Sequence, residues 1–177
     1  MKPPILIETP RLRLRLPEIA DAQAIFDQYG QDAEVTRYLI WQPHKSIEET
    51  IQFLKRVLAG WQEGKSFSWV ITRKPDYQLM GMVALRIEEY KANLGYLLAR
   101  PYWGQGYMTE AVQALVDLVL AQPEIYRVWA VCDIENHASA RVLEKVGMSC
   151  EGVLRRWISH PNISAEPRDC RCYSLTK

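Results

Sequence analysis

The sequence predicts one mixed α/β (α+β) domain, and three observations carry that expectation. Leu12-Arg13-Leu14-Arg15-Leu16 alternates apolar and charged residues, the period of a half-buried strand. Ile51, Leu54, Val57, Leu58 and Trp61, and later Met108, Ala111, Val112, Leu115, Val119 and Leu120, recur at helical spacing. The remaining apolar runs are short and come in groups rather than in strict alternation with helices, so a regular βαβ array is not expected.

Each element has a local reason. Pro17 breaks the first strand, and residues 19–29 read as a short helix. Ser46-Ile47-Glu48-Glu49 reads as a capping box, so a helix is expected from near Ile47 to near Gly64. Two strands, 67–72 and 79–87, flank the turn signal Pro75-Asp76. A further strand over 94–99 leads through Pro101 and two glycines into a helix over 107–121. A Val- and Trp-rich strand follows at 127–132, then a helix over 138–146 that Gly147 stops. Strands at 150–158 and 170–175 close the chain around a polar loop, residues 159–169, that holds Pro161 and Pro167. No repeat or linker divides residues 1–177, which therefore form a single domain.

Composition narrows the function. The 22 basic residues nearly cancel the 21 acidic ones, leaving a net charge of +1, which disfavours a nucleic-acid binder. No apolar run is long enough to span a membrane, and the N-terminus lacks a secretory apolar stretch, so a cytoplasmic protein without membrane attachment is expected. Cys132, Cys150, Cys170 and Cys172 form no C-x-x-C pair and have no histidine at zinc-finger spacing. They read as reduced thiols packed as small hydrophobes, and no metal is expected.

The segment richest in chemistry runs from Leu94 through Trp103-Gly104-Gln105-Gly106-Tyr107-Met108 to Thr109-Glu110-Ala111. It reads as a strand, a glycine loop and a helix N-terminus. Such an N-terminus offers unpaired N–H groups and a favourable dipole to an anion. Gly104 and Gly106 would let a phosphate approach the backbone, or would simply form a tight turn. A Walker A loop is excluded because no Lys follows, and a dinucleotide fingerprint because Thr109 stands where a third glycine is needed.

This segment resembles motif A of the GNAT superfamily of acetyltransferases, in particular the branch of the Rim-type ribosomal-protein N-terminal acetyltransferases. Trp103 stands where the family pattern has a basic or amide residue, and Met108 where it has a small one; both, with Thr109-Glu110-Ala111, look like that branch. Glu135-Asn136-His137-Ala138-Ser139 through Lys145-Val146-Gly147-Met148 resembles motif B, with Met148 in the usual Phe place. Thr9-Pro10-Arg11-Leu12-Arg13-Leu14-Arg15 looks like the branch's opening strand, and the end of the chain like its closing pair, so the resemblance covers nearly all residues.

The resemblance implies a mostly antiparallel central sheet flanked by helices, with two splayed strands forming a wedge for acetyl-CoA as co-substrate. It implies N-acetylation of a primary amine by direct attack in a ternary complex. The pyrophosphate would rest on the amides of Gly104, Gln105, Gly106, Tyr107, Met108 and Thr109. The pantetheine arm would follow Leu97, Leu98 and Ala99, where a bulge would aim the N–H of Leu98 or Ala99 at the thioester carbonyl. Asn136 would bind the same arm, or act as an ordinary helix cap. Two departures matter. The strand glutamate common in the family appears here as Asn93, so Glu88, Glu89 and His160 stand as substitute bases. The tyrosine acid of motif B is replaced by Leu143, so Ser139 or water would protonate the thiolate. Tyr38, Trp41 and His160 are expected at the acceptor site, with Glu34 and Glu88 near its mouth. The acceptor stays open between a protein N-terminal α-amine and small-molecule amines, a homodimer is possible, and a non-catalytic acyl-CoA-binding domain of the same fold is the alternative.

Overall fold

A computed structural model describes residues 2–177. One eight-stranded sheet runs through it in the order β1-β2-β3-β4-β5-β6-β8-β7. The strands are β1 (Leu6–Glu8), β2 (Leu12–Arg15), β3 (Ser66–Arg73), β4 (Gln78–Glu88), β5 (Lys91–Leu98), β6 (Arg127–Asp133), β7 (Ser149–Ile158) and β8 (Arg168–Thr176). Every neighbouring pair is antiparallel except β5 and β6, which run parallel. Parallel neighbours need a crossover. Helix α4 (Tyr107–Leu120) provides it and packs on β2, β4, β5 and β6.

The helices follow their sequence patterns with two corrections. Helix α3 (Ile47–Glu63) ends at Gly64, whose φ of 69° suits a left-handed cap. Its expected capping box does not close: Ser46 makes no side-chain cap bond, and the Glu49 carboxylate accepts the N–H of Lys45 instead, at 2.9 Å. The helix read over 19–29 is broken into a 3-10 turn (Ile19–Asp21), a single α turn, α1 (Ala22–Ile25), and a π turn (Phe26–Gly30). Tertiary packing overrides the local pattern there. A Cβ on Gly30 would lie 3.2 Å from the Ile25 carbonyl and 3.3 Å from His44 Nδ1, so a close approach ends the segment. The short β1 and α2 (Ala33–Thr36, capped by Asp32) were not distinguishable in the sequence. Helix α5 (His137–Lys145) is capped by Asn136 and packs on α4, β6 and β7.

Register defines the core. Phe67 and Trp69 on β3 lie beside Leu85 and Val83 on β4, which lie beside Leu94 and Tyr96 on β5, so these side chains share one face of the sheet. Phe67, Trp69, Val83 and Leu85 are all buried, and each such side chain contributes about 1.5–3 kcal/mol. The Trp69 indole donates to the Pro4 carbonyl at 3.0 Å, which satisfies its polar tip. No helix among the described residues is long and apolar enough to cross a membrane.

Candidate active site

The site begins where β5 and β6 part. They pair only at Lys91–Arg127, Ala92–Val128 and Asn93–Trp129. Asn93 sits at that fork, its Nδ2 donating to the Trp129 carbonyl at 3.4 Å. Beyond it β5 bonds only to β4 and β6 only to β8, so two facing edges bound a wedge.

Hydrogen-bond alternation decides which β5 groups enter the wedge. The Ala99 N–H donates to the Met80 carbonyl at 2.7 Å, and the β4–β5 register is unbroken from Gly81–Leu98 to Glu88–Lys91. The expected bulge is therefore absent. In an antiparallel pair successive residues point their N–H groups to opposite sides. Leu97 and Ala99 thus face β4, whereas Leu98 and Tyr96 direct their N–H groups into the wedge. The Leu98 carbonyl accepts from the Trp103 indole at 2.6 Å, which folds that exposed ring over the strand end.

The loop after β5 leaves a run of backbone amides unpaired. Gly104 and Gly106 have φ of 73° and 78°, the left-handed region that disfavours other residues. Gly106 is the N-cap of α4 and has no side-chain cap bond. Consequently the N–H groups of Gly104, Gln105, Gly106, Tyr107, Met108 and Thr109 have no acceptor among the described residues; Glu110 is the first whose N–H bonds back, to Gly106. The Gln105 side chain folds back onto the Pro101 carbonyl at 2.7 Å and leaves its own amide clear. Unpaired amides at the head of a 14-residue helix fit a diphosphate by charge and by geometry.

Across the wedge stands α5. The Asn136 side chain accepts the Ser139 N–H at 3.1 Å, so it is a helix cap, and its amide NH₂ makes no bond to the protein. Ser139 Oγ lies 2.8 Å from the Tyr96 hydroxyl, which also reaches the Ser139 carbonyl at 3.2 Å. Burial pushes the Tyr96 phenol well above its usual range, with the Ser139 hydrogen bond pulling the other way. Cys132 is buried on the same face of β6, and desolvation raises its thiol to about 11, offset in part by Ser139. Tyr96 was missed in the sequence. Its one trace there is a polar tip in the apolar stripe Leu94, Tyr96, Leu98.

The opposite face of β5 and β6 carries Asn93, Gly95 and Leu97, and Trp129, Val131 and Asp133. Tyr38 and His160 meet edge to face there with ring centroids 6.3 Å apart. Trp41 stacks on His44 at 4.8 Å. Asn162 ties the closing loop to this wall by donating to the Thr36 and Trp41 carbonyls at 2.7 and 2.8 Å. His160 is only 4 % exposed, so it backs the wall rather than lining an open surface. Neither of its ring nitrogens makes a well-formed hydrogen bond among the described residues, although the Leu39 backbone lies close enough to favour a proton there; Asp133 lies 3.8 Å away, itself held by Arg168 at 2.6 Å. Burial lowers the His160 pKa, against the opposing pull of Asp133. Glu34 is exposed on α2. Glu88 and Glu89 lie at the β4–β5 turn, on the closed side of the fork. Seven residue steps along the strand separate Lys91, the partner of Glu88, from Leu98, roughly 23 Å at the usual rise. The structure does not bring Glu88 or Glu89 to the wedge.

Residues 11–149 match the family model of the acetyltransferase (GNAT) domain. The uncharacterized N-acetyltransferase YoaA of Bacillus subtilis is 33% identical over 175 residues, covering 97% of each chain. A GNAT-family acetyltransferase from Bacillus anthracis superposes with a TM-score of 0.84 at 26% identity, over 97% of this chain and 98% of that one. The fold is also shared with RimL, a ribosomal L7/L12 alpha-N-protein acetyltransferase solved with coenzyme A, at a TM-score of 0.85 and 22% identity over 97% of both chains. Forked strands, a glycine loop feeding α4, and a matching family over most of the length lead to one conclusion: the chain belongs to the GNAT family of N-acetyltransferases.

Proposed function

We propose that this enzyme transfers the acetyl group of acetyl-CoA to an amine of low basicity, a protein or peptide N-terminal α-amine, by direct attack. The observation that carries the cofactor assignment is the run of unpaired amides from Gly104 to Thr109 at the head of the wedge. Those amides hold the diphosphate, and the wedge edge of β5 and the free amide of Asn136 hold the pantetheine arm. Acetyl-CoA supplies the activated thioester.

The protein supplies the rest. The Leu98 N–H is directed into the wedge and donates to the carbonyl oxygen as it gains negative charge; such a donor is worth about 3 kcal/mol. Ser139, held by Tyr96 at 2.8 Å, delivers a proton to the departing sulfur, with Tyr96 behind it as the proton store; the proton that the amine nitrogen loses as the amide forms passes to water, and the relay is refilled from water. Cys132 takes no covalent part, because a buried thiol with a pKa of about 11 stays protonated at neutral pH.

The acceptor follows from what the wedge lacks. Asn93 occupies the fork where a carboxylate could have served, and Asp133 is committed to Arg168. With no free carboxylate in place, an amine that is already partly neutral has the advantage. At pH 7 about a tenth of α-amines are unprotonated, against a few in ten thousand lysine side chains. Tyr38 and Trp41 form the aromatic wall past which the acceptor enters. RimL, which shares the fold, acetylates a protein α-amine, which supports this reading.

The test has two stages. Calorimetric titration with acetyl-CoA, with NADH as control, should give low-micromolar binding for acetyl-CoA alone. Thiol release should then be faster with an unblocked peptide than with an N-acetylated, lysine-containing one. No binding at high micromolar acetyl-CoA would remove the cofactor assignment; equal rates with both peptides would remove the α-amine assignment only.

A further inference from the structure

Two segments that resemble the Rim-type branch, Thr9-Pro10-Arg11 and Thr109-Glu110-Ala111, meet in space through the Glu110 side chain, to which the chemistry above gives no role. Thr9 Oγ1 donates to Glu110 Oε1 at 2.6 Å, and the Arg11 N–H donates to the same oxygen at 2.9 Å. Arg11 Nε donates to Glu110 Oε2 at 2.6 Å. The guanidinium then continues past the carboxylate to the loop. Its Nη1 donates to the Gln105 carbonyl at 3.0 Å, and its plane lies 4.5 Å over the Tyr107 ring. Its Nη2 lies 3.5 Å from where a Cβ on Gly106 would stand. The turn that carries Arg11 is itself anchored, since Lys74 bonds the Thr9 and Arg11 carbonyls through its side chain and its N–H, each at 2.9 Å.

A cradle of amides binds an anion only while its carbonyls point away. The Gln105–Gly106 peptide is at risk, because a glycine on one side lets the plane rotate at little steric cost, and its carbonyl is the one that Arg11 reaches. We infer that Arg11 is a positioning residue for the diphosphate of the co-substrate: by holding the Gln105 carbonyl outward it keeps the adjoining N–H groups turned into the cradle. It also neutralises Glu110, the only acid in the first turn of α4, and supplies a cation to residues 103–106, which carry none; Arg100, earlier in the same connection, is paired with Asp32. The inference rests on the assignment of the loop to acetyl-CoA.

The experiment compares two ligands that differ by the diphosphate and the 3′-phosphorylated nucleoside. Dissociation constants for coenzyme A and for pantetheine are measured by tryptophan fluorescence, using Trp103 beside the loop, in wild type, Arg11→Met and Arg11→Lys. Arg11→Met should weaken coenzyme A about tenfold or more, as loss of a charge-assisted bond implies, while pantetheine changes less than about twofold. Arg11→Lys should recover part of the loss, because it keeps the charge without the fork. Equal weakening of both ligands would mean that Arg11 only supports the fold, and unchanged coenzyme A binding would mean that the loop holds itself; either overturns the inference. If Arg11→Met does not fold, the ligand contrast in Arg11→Lys decides. Failure of wild type to bind coenzyme A would strike the parent assignment instead.

Discussion

The two sides of the wedge are built by different means. In the proposed assignment the cofactor side is made mainly of backbone, the amides at 104–109 and the edge of β5, with the Asn136 side chain added from the cap of α5, all drawn from about forty consecutive residues. The acceptor side is made of side chains brought from far apart, as when Asn162 reaches the Thr36 carbonyl across 126 residues. Backbone N–H groups are the same in every residue but proline, so a binding surface made from them depends mainly on chain conformation. A surface made from aromatic rings and a buried histidine depends on identity and on docking. The first tolerates sequence change while its glycines remain; the second can be altered residue by residue to suit another acceptor.

That contrast can be broken most forcefully at Gly106. A valine there must adopt φ near 78°, which costs about 1–3 kcal/mol and is relieved by turning the cradle peptides. Gly106→Val should reduce coenzyme A binding by about a hundredfold, measured by calorimetry, while circular dichroism shows an intact fold. Retained binding would mean that backbone conformation does not make the cofactor side.

The same contrast explains what was legible in the sequence. Nearly every strand and long helix could be placed because apolar spacing is local, and the glycine loop because left-handed residues are rare. The absence of a β5 bulge was not legible, because it depends on the register with β4 and on the Ala99–Met80 bond. Tyr96 escaped notice because its partner, Ser139, lies 43 residues away on another element. His160 was visible as a titratable residue, but its burial beneath Tyr38 was not. Glu88 is a usable base on sequence alone, but the fork places it on the closed side.

A smaller effect is expected at the junction between the two sides. Tyr96→Phe removes the hydroxyl that holds Ser139 but keeps the ring packed. If Tyr96 is the proton store for the leaving sulfur, kcat should fall about tenfold, with water replacing part of the relay, while coenzyme A affinity stays within about twofold. A matched loss of affinity would assign Tyr96 to binding and make the cofactor side less purely backbone than its amides suggest.

The smallest expected effect sharpens the acceptor side through pH. His160 and His44 are both buried, and for both desolvation is the leading cause of a lowered pKa. A histidine whose folded pKa lies below its unfolded value of about 6.5 binds fewer protons in the folded state. Its contribution to stability is therefore complete above that pH and declines as pH falls through it toward the folded value. Asp133 beside His160 is held below the usual carboxylate range by Arg168, despite burial, so its contribution is lost only at more acidic pH, below about 4. Melting temperature should thus fall by a few degrees between pH 7 and pH 5, before any carboxylate limb. His160→Leu should flatten part of that decline and His44→Leu the remainder. Because Asn162 ties the loop to Trp41, the same acidification should raise the acceptor KM beyond the rise caused by protonation of the amine itself, an excess that His160→Leu and His44→Leu should remove, without changing coenzyme A affinity. A decline that survives both substitutions would show that the aromatic wall is not held by neutral histidines, and a parallel loss of coenzyme A affinity would show that the two sides of the wedge do not respond separately.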